Sequence, residues 1–137
     1  MRQFILLSIL FLFSGFTFAF QCDINDFNKF YTNFKNEKQF ADSRTIFPLR
    51  LTTWEYGIDS NGKDVSSKNI NYTTNKKDVS LLSYFIKDNG LSEKTTMKNN
   101  SKINITIFKQ DTDFQLQYHF ICHKNSWFLY EIEDQSL

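Results

Sequence analysis

Proline occurs once in this 137-residue chain, glycine four times, and cysteine and histidine twice each. Each scarcity excludes a class of protein. The glycines, at positions 15, 57, 62 and 90, form no G-x-G pattern, so no glycine-rich phosphate loop is encoded. The histidines and cysteines make no H-x-H, C-x-x-C or H-E-x-x-H spacing, which removes the common metal-site signatures. No serine sits in a G-x-S-x-G nucleophile elbow. An excess of one charge is also missing, with 16 Lys+Arg against 15 Asp+Glu. Near-neutrality argues against a nucleic-acid surface, which needs a basic face, and against a polybasic membrane patch. The apolar run Phe4 to Phe13, broken by Ser8, is too short to span a bilayer. No repeat, linker or low-complexity block interrupts the chain.

What is present begins at the amino terminus. Arg2, the apolar run and the small residues Thr17 and Ala19 make an export signal with cleavage expected after Ala19. Residues 1–19 are therefore assigned to the signal. Residues 20–137 are assigned to a single domain, long enough to bury a real core. Without Arg2 the formal charge falls to zero. The expected compartment is the periplasm, with no stable membrane insertion after cleavage. The lead-in Ala19-Phe20-Gln21 fits poorly with lipid anchoring at Cys22. The short, Phe-rich signal is bacterial in style, so the sequons at Asn71, Asn99 and Asn104 read as a consequence of thirteen asparagines.

In an oxidising compartment two cysteines usually pair. A Cys22–Cys122 bridge would close a loop of about 100 residues, for which chain entropy gives roughly 4–5 kcal/mol as an upper figure. Two buried thiols are the alternative.

Hydrophobic spacing sets the elements. Asp23 is a good helix N-cap and Asp26 suits the first turn. Ile24, Phe27, Phe30, Tyr31 and Phe34 then recur at three- and four-residue spacing, one helical face. A second short helix covers Glu37 to Asp42, with Phe40 inward. From Thr45 the period becomes two: Phe47, Leu49 and Leu51 alternate with Pro48, Arg50 and Thr52. Pro48 suits a strand start or edge. Asn61-Gly62 signals a hairpin. The return strand Val65 to Tyr72 alternates weakly, and a loop over 57–76 is the alternative. Asp78 is expected to cap a third helix with Val79, Leu82, Phe85 and Ile86 inside, ended by Asn89-Gly90. The remainder reads as strands: Glu93 to Lys98, Ile103 to Phe108, Phe114 to Cys122 and Trp127 to Ile132. Helices early and strands late indicate an α+β fold. The expectation is an N-terminal helix pair and a third helix on a curved antiparallel sheet of about four to six strands, cone-like.

The segment Phe27-x-x-Phe30-Tyr31-x-x-Phe34, then Phe47-Pro48-Leu49, Tyr118-His119-Phe120 and Trp127, Leu129 and Ile132 resembles a family of exported bacterial domains of unknown function. That family has a cone-shaped fold like that of nuclear transport factor 2. The resemblance spans roughly residues 22–133 through scattered anchors. It implies helices closing one side of a curved sheet with a hollow between them. It carries over no catalytic residue, since the superfamily includes enzymes, small-molecule binders, dimerisation modules and toxin-neutralising immunity proteins.

Candidate functional residues are few. His119 and His123 share a strand face but lie about 13 Å apart along it, too far to hold one metal ion. His119 is flanked by aromatics, and Asp111 and Asp113 are near it only in sequence, so no acid is seen to face it. Glu131 and Glu133 alternate on the last strand and are expected on a solvated edge. Trp54, Tyr56, Tyr118, His119 and Trp127 are the candidates for a pocket or partner contact, with Trp127 leaning to the core. No cofactor is implied. Together these features point to a non-catalytic exported domain working by protein–protein contact, with a toxin as candidate partner and an immunity role as candidate function. A homodimer is a further candidate. A small-molecule binder using the cone hollow is the alternative, and an enzyme using His119 a weaker one.

Overall fold

A computed structural model of the chain describes residues 22–79 and 81–137, so residues 1–19, expected above to be an export signal, lie outside the described residues. Helix α1 spans Ile24–Asn36. The Asp23 carboxylate accepts the Asn25 N–H at 2.8 Å, Asp26 occupies the first turn and Lys35 the last. Each charge thus lies at the end of the helix dipole that favours it. Phe27, Phe30, Tyr31 and Phe34 form the buried face, whereas Ile24 remains exposed. Glu37 takes an extended conformation and breaks the helix, and α2 begins after it at Lys38–Ser43 with Ala41 buried.

Strand β1 (Thr45–Ile58) and β2 (Asp64–Thr73) make a long antiparallel hairpin. Gly62 provides the left-handed turn residue at φ +78°, which a side chain would strain. The Asp59 carboxylate accepts the N–H groups of Asn61 and Lys63. Residues 57–76 are thus not a loop: most of them form the end of β1 and the whole of β2.

The third helix starts later than its sequence signal. Asn75, not Asp78, caps a 3-10 turn at Lys76–Asp78 by accepting the Lys77 N–H. Val79 is then drawn into the core, and α3 runs Leu82–Asp88 without a side-chain cap. Gly90, at φ +61°, takes the usual helix-ending conformation just beyond it.

Strands β3 (Ser92–Asn99), β4 (Lys102–Phe108), β5 (Gln115–His123) and β6 (Ser126–Asp134) form an antiparallel meander. The sheet order is β2-β1-β6-β5-β4-β3. The meander therefore returns β6 to lie beside β1, and these two strands are parallel. The expected all-antiparallel sheet is in fact a mixed sheet of six strands, curved and open, with the three helices on one face.

Two irregularities decide which side chains face which way. Between Thr45↔Leu129 and Arg50↔Glu131, β1 advances farther than β6, and Pro48 lies inside that gap. A proline has no N–H to give a ladder, so the break is where it fits in an interior strand. On β6, His119 pairs with Glu131 but Phe120 pairs with Leu129, leaving Tyr130 as an extra residue. Such a bulge reverses the facing of the residues beyond it. Trp127 and Leu129 face the helices, and so does Ile132, but Glu131 and Glu133 are turned to the opposite face.

The core lies between α1 and the sheet. Phe120 makes edge contacts with Phe27, Phe30, Tyr31 and Phe34, with ring centroids 5.2–6.0 Å apart. Ile103, Ile105, Ile107, Leu49 and Leu129 complete it. These rings fill the space beneath α1. Cys22 and Cys122 are joined by a disulfide across 100 residues, with Cα atoms 5.8 Å apart, which ties the start of α1 to the end of β5.

Candidate functional site

The face of the sheet without helices carries an unusual set of side chains. From β1 come Arg50, Thr52, Trp54, Tyr56 and Ile58; from β2 Lys68, Ile70 and Tyr72; from β5 Gln117 and His119; from β6 Glu131 and Glu133. No helix covers them, yet Glu131 and Glu133 are each 7% exposed and His119 8%. Interior strand position, sheet curvature and neighbouring side chains bury them.

The two buried carboxylates are partnered by their neighbours on this face. Thr52 Oγ1 donates to Glu131 Oε1 at 2.6 Å, and Arg50 Nε stands 3.3 Å from the same oxygen, a charge contact without hydrogen-bond alignment. Trp54 Nε1 donates a short hydrogen bond to Glu133 Oε1, and Gln135 Nε2 donates to it at 3.1 Å. The second oxygen of Glu133 lies 3.1 Å from His119 Nε2. Gln115 and Gln117 both donate to Gln135 Oε1, at 2.6 and 3.0 Å. Buried charge is tolerated only when it is paired in this way.

Burial pushes the Glu133 carboxyl up, but the hydrogen bonds from Trp54 and Gln135 and the positive fields of Lys68 and His119 outweigh it. The net shift is downward, so Glu133 stays ionised. Lys68 lies over the Trp54 ring at 5.3 Å, and Lys102 over Tyr130 at 5.8 Å.

The same face opens toward both ends of the hairpin. Tyr56, 53% exposed, and Ile58, 71%, lie toward its tip, and Ile70 and Tyr72, the latter 63% exposed, toward its base, with Trp54 and Lys68 between. The register sets Tyr72 beside Arg50, Ile70 beside Thr52 and Lys68 beside Trp54. A hydrogen-bonded polar centre is therefore flanked by exposed aromatic and aliphatic side chains. Where that face meets the β4–β5 turn, a cavity of about 560 Å³ is lined by Tyr56, Lys94, Phe108, Asp111, Gln135 and Leu137 among others.

The five residues singled out from the sequence divide between the two faces. Trp54, Tyr56 and His119 lie on the open face. Tyr118 and Trp127 point to the helices. Burial raises the Tyr118 hydroxyl to about 12. Trp127 packs edge-on against Phe27 at 5.2 Å, and its buried Nε1 has no hydrogen-bond partner among the described residues. The expectation of a solvated edge for Glu131 and Glu133 is overturned, because the parallel pairing with β1 makes β6 an interior strand. The expectation that no acid faces His119 is overturned by Glu133. Arg50, Thr52, Ile70 and Tyr72 gave no signal by themselves, since their importance depends on the β1 pairings.

Among the described residues no group of three or more His, Cys, Asp or Glu is arranged to hold a metal ion, and no helix is long and apolar enough to cross a membrane. No family model matches the sequence, and no curated protein matches it. A solved structure from Bacteroides fragilis NCTC 9343, described as an NTF2-like protein, is similar, with 17% sequence identity and a TM-score of 0.47. The match covers 81% of this chain and 47% of that one, so the chain spans about half its length.

Proposed function

We propose that this protein is an exported binding domain that works through protein–protein contact on the helix-free face of its sheet. The observation that carries the reading is two exposed apolar pairs on one face of the β1–β2 hairpin, Tyr56 with Ile58 toward its tip and Ile70 with Tyr72 toward its base. Large apolar side chains grouped in the open mark contact surfaces, and aromatic residues dominate the energy of such contacts. The buried network of Glu131, Glu133, Arg50, Thr52 and His119 keeps that surface rigid, which lowers the entropy lost on binding. The Cys22–Cys122 disulfide supports export, because such bonds persist in oxidising compartments. The periplasm is the proposed location and a toxin acting in the envelope the proposed partner, with this domain as its immunity protein.

Purification of the tagged protein from periplasm, with identification of what accompanies it, tests the reading. One stoichiometric partner encoded beside this gene, lost when Tyr56 and Tyr72 are both changed to Ser, is the expected result. Recovery without any partner, or a partner that the double substitution does not release, contradicts it.

His119 and Glu133 favour a second reading as an acid–base pair. An enzyme of that kind would lose turnover in His119→Ala while keeping its fold.

A further inference from the structure

The two edges of the sheet are unlike each other. β3 carries the adjacent charges Glu93 and Lys94, and charges on an edge strand resist pairing with another chain. β2 is ten residues long, exposed along almost its whole length, free of proline, and charged only at Asp64 and Lys68. Among the described residues no strand lies on its outer side.

The pattern of its main chain is set by the hairpin. Asp59 N–H donates to Lys63 O at 2.9 Å, and these residues are opposite each other in the register that pairs Ile58 with Asp64. Hydrogen-bonded and non-hydrogen-bonded pairs alternate in an antiparallel ladder. Val65, Ser67, Asn69 and Asn71 therefore turn their N–H and C=O groups toward β1. Asp64, Ser66, Lys68, Ile70 and Tyr72 turn theirs to the open edge. The same five residues place their side chains on the helix-free face.

We infer that β2 pairs edge to edge with β2 of a second copy, antiparallel and centred on Ile70. In that register Ile70 lies opposite Ile70 of the second copy, and Lys68 opposite Tyr72 of the second copy. Lys68 already lies over an aromatic ring within its own hairpin, and the second tyrosine extends the same cation–π attraction. The three outward-facing pairs supply about six main-chain hydrogen bonds. Centring on Lys68 instead would set two ammonium groups face to face, which is destabilising. The close balance of Lys+Arg and Asp+Glu leaves no long-range repulsion between copies. Two six-stranded sheets then join into one, and the Ile70–Tyr72 pairs of the two copies become continuous. The inference concerns self-pairing alone and holds whether or not a toxin is the partner.

Sedimentation of the purified protein over a concentration series tests it, beside Ile70→Lys and Ile70→Pro. The proline removes only an outward N–H, so the β1–β2 ladder is kept. The expected result is a dimer that dissociates on dilution, with both variants monomeric and their circular dichroism unchanged. Hydrogen exchange on the unmodified protein gives a second readout that needs no variant. Amides of Lys68, Ile70 and Tyr72 exchange slowly in the dimer and fast after dilution, while those of Ser67, Asn69 and Asn71 stay slow in both. A monomer at every concentration, a dimer that survives both substitutions, or outward amides that exchange fast in the dimer would overturn the pairing.

Discussion

Phe120 and His119 are neighbours on β5, both buried, one on each face of the sheet. Phe120 is sealed by four aromatic rings from α1. His119 is sealed by a carboxylate, and the face around it by hydrogen bonds from Trp54, Gln135 and Thr52 and the charge contact of Arg50. The helix face is held by burial of apolar surface, which leaves no charge behind when one ring is removed. The open face is held by partners that need one another, because removing one leaves a buried charge exposed to a low dielectric. One face is therefore a foundation and the other a shaped, polar platform with an apolar rim.

The comparison breaks most sharply at Phe120. Phe120→Ala should cost about 3–5 kcal/mol, as large-to-small core changes do, measured by urea unfolding. A cost below about 1 kcal/mol, the level of an exposed surface change, would show that the ring cluster is not the foundation.

Next in size is Glu133→Ala, expected to cost about 3 kcal/mol because His119, Trp54 and Gln135 lose their shared acceptor. Trp54→Phe alone should cost about 1–2 kcal/mol. The two together should cost much less than their sum, since both break the same bond. Glu133→Ala and Phe120→Ala, on opposite faces with no shared partner, should add. Full additivity of the Trp54 and Glu133 changes would deny the network.

The two faces also titrate at opposite ends of the pH scale. On the helix face, burial raises the Tyr118 hydroxyl from 10.0 to about 12. Burial and then the hydrogen bond to Glu93 raise Tyr31 as well. A group raised in the folded state stabilises fully below its unfolded value, and that contribution is lost as pH rises through the folded one. Stability should therefore fall from pH 10 toward about 12, and Tyr118→Phe should shallow that fall. On the open face the sign reverses. Glu133 is lowered from 4.5, so its contribution is present above that pH and is lost as pH drops through the folded value. Glu133→Gln should shallow the acid limb and leave the alkaline one alone, the smallest of these effects. An acid limb unchanged in Glu133→Gln would mean that other carboxylates carry it.

The helix-covered face is far more legible in the sequence than the open one. Phe27, Phe30, Tyr31 and Phe34 declare their face by local spacing, and Phe114 to Cys122 alternate without interruption. The cysteine pairing can be read from there being just two cysteines in the sequence. The open face depends on pairings between distant segments. Nothing near Glu131 says that β1 will lie beside it in parallel, and an uninterrupted period of two from Trp127 and Leu129 would place Glu131 and Glu133 in the core. Only the extra residue at Tyr130 turns them out. His119 stands out by its neighbours, but its partner fourteen residues later does not. The start of α3 departs from its signal for a local reason, since Asn75 and Asp78 are both good caps and Asn75 takes the turn.

The central claim is that the open face makes contact and the helix face supplies stability. Partner capture from periplasm, compared between Tyr56→Ser with Tyr72→Ser and Tyr84→Ser, tests it most directly. Tyr84 is exposed to the same degree as Tyr72 but lies on α3, on the helix side. The account predicts that the hairpin pair abolishes capture at an unchanged unfolding temperature, while Tyr84→Ser captures as the unmodified protein does. Loss of capture in Tyr84→Ser with retention in the hairpin variant would contradict it.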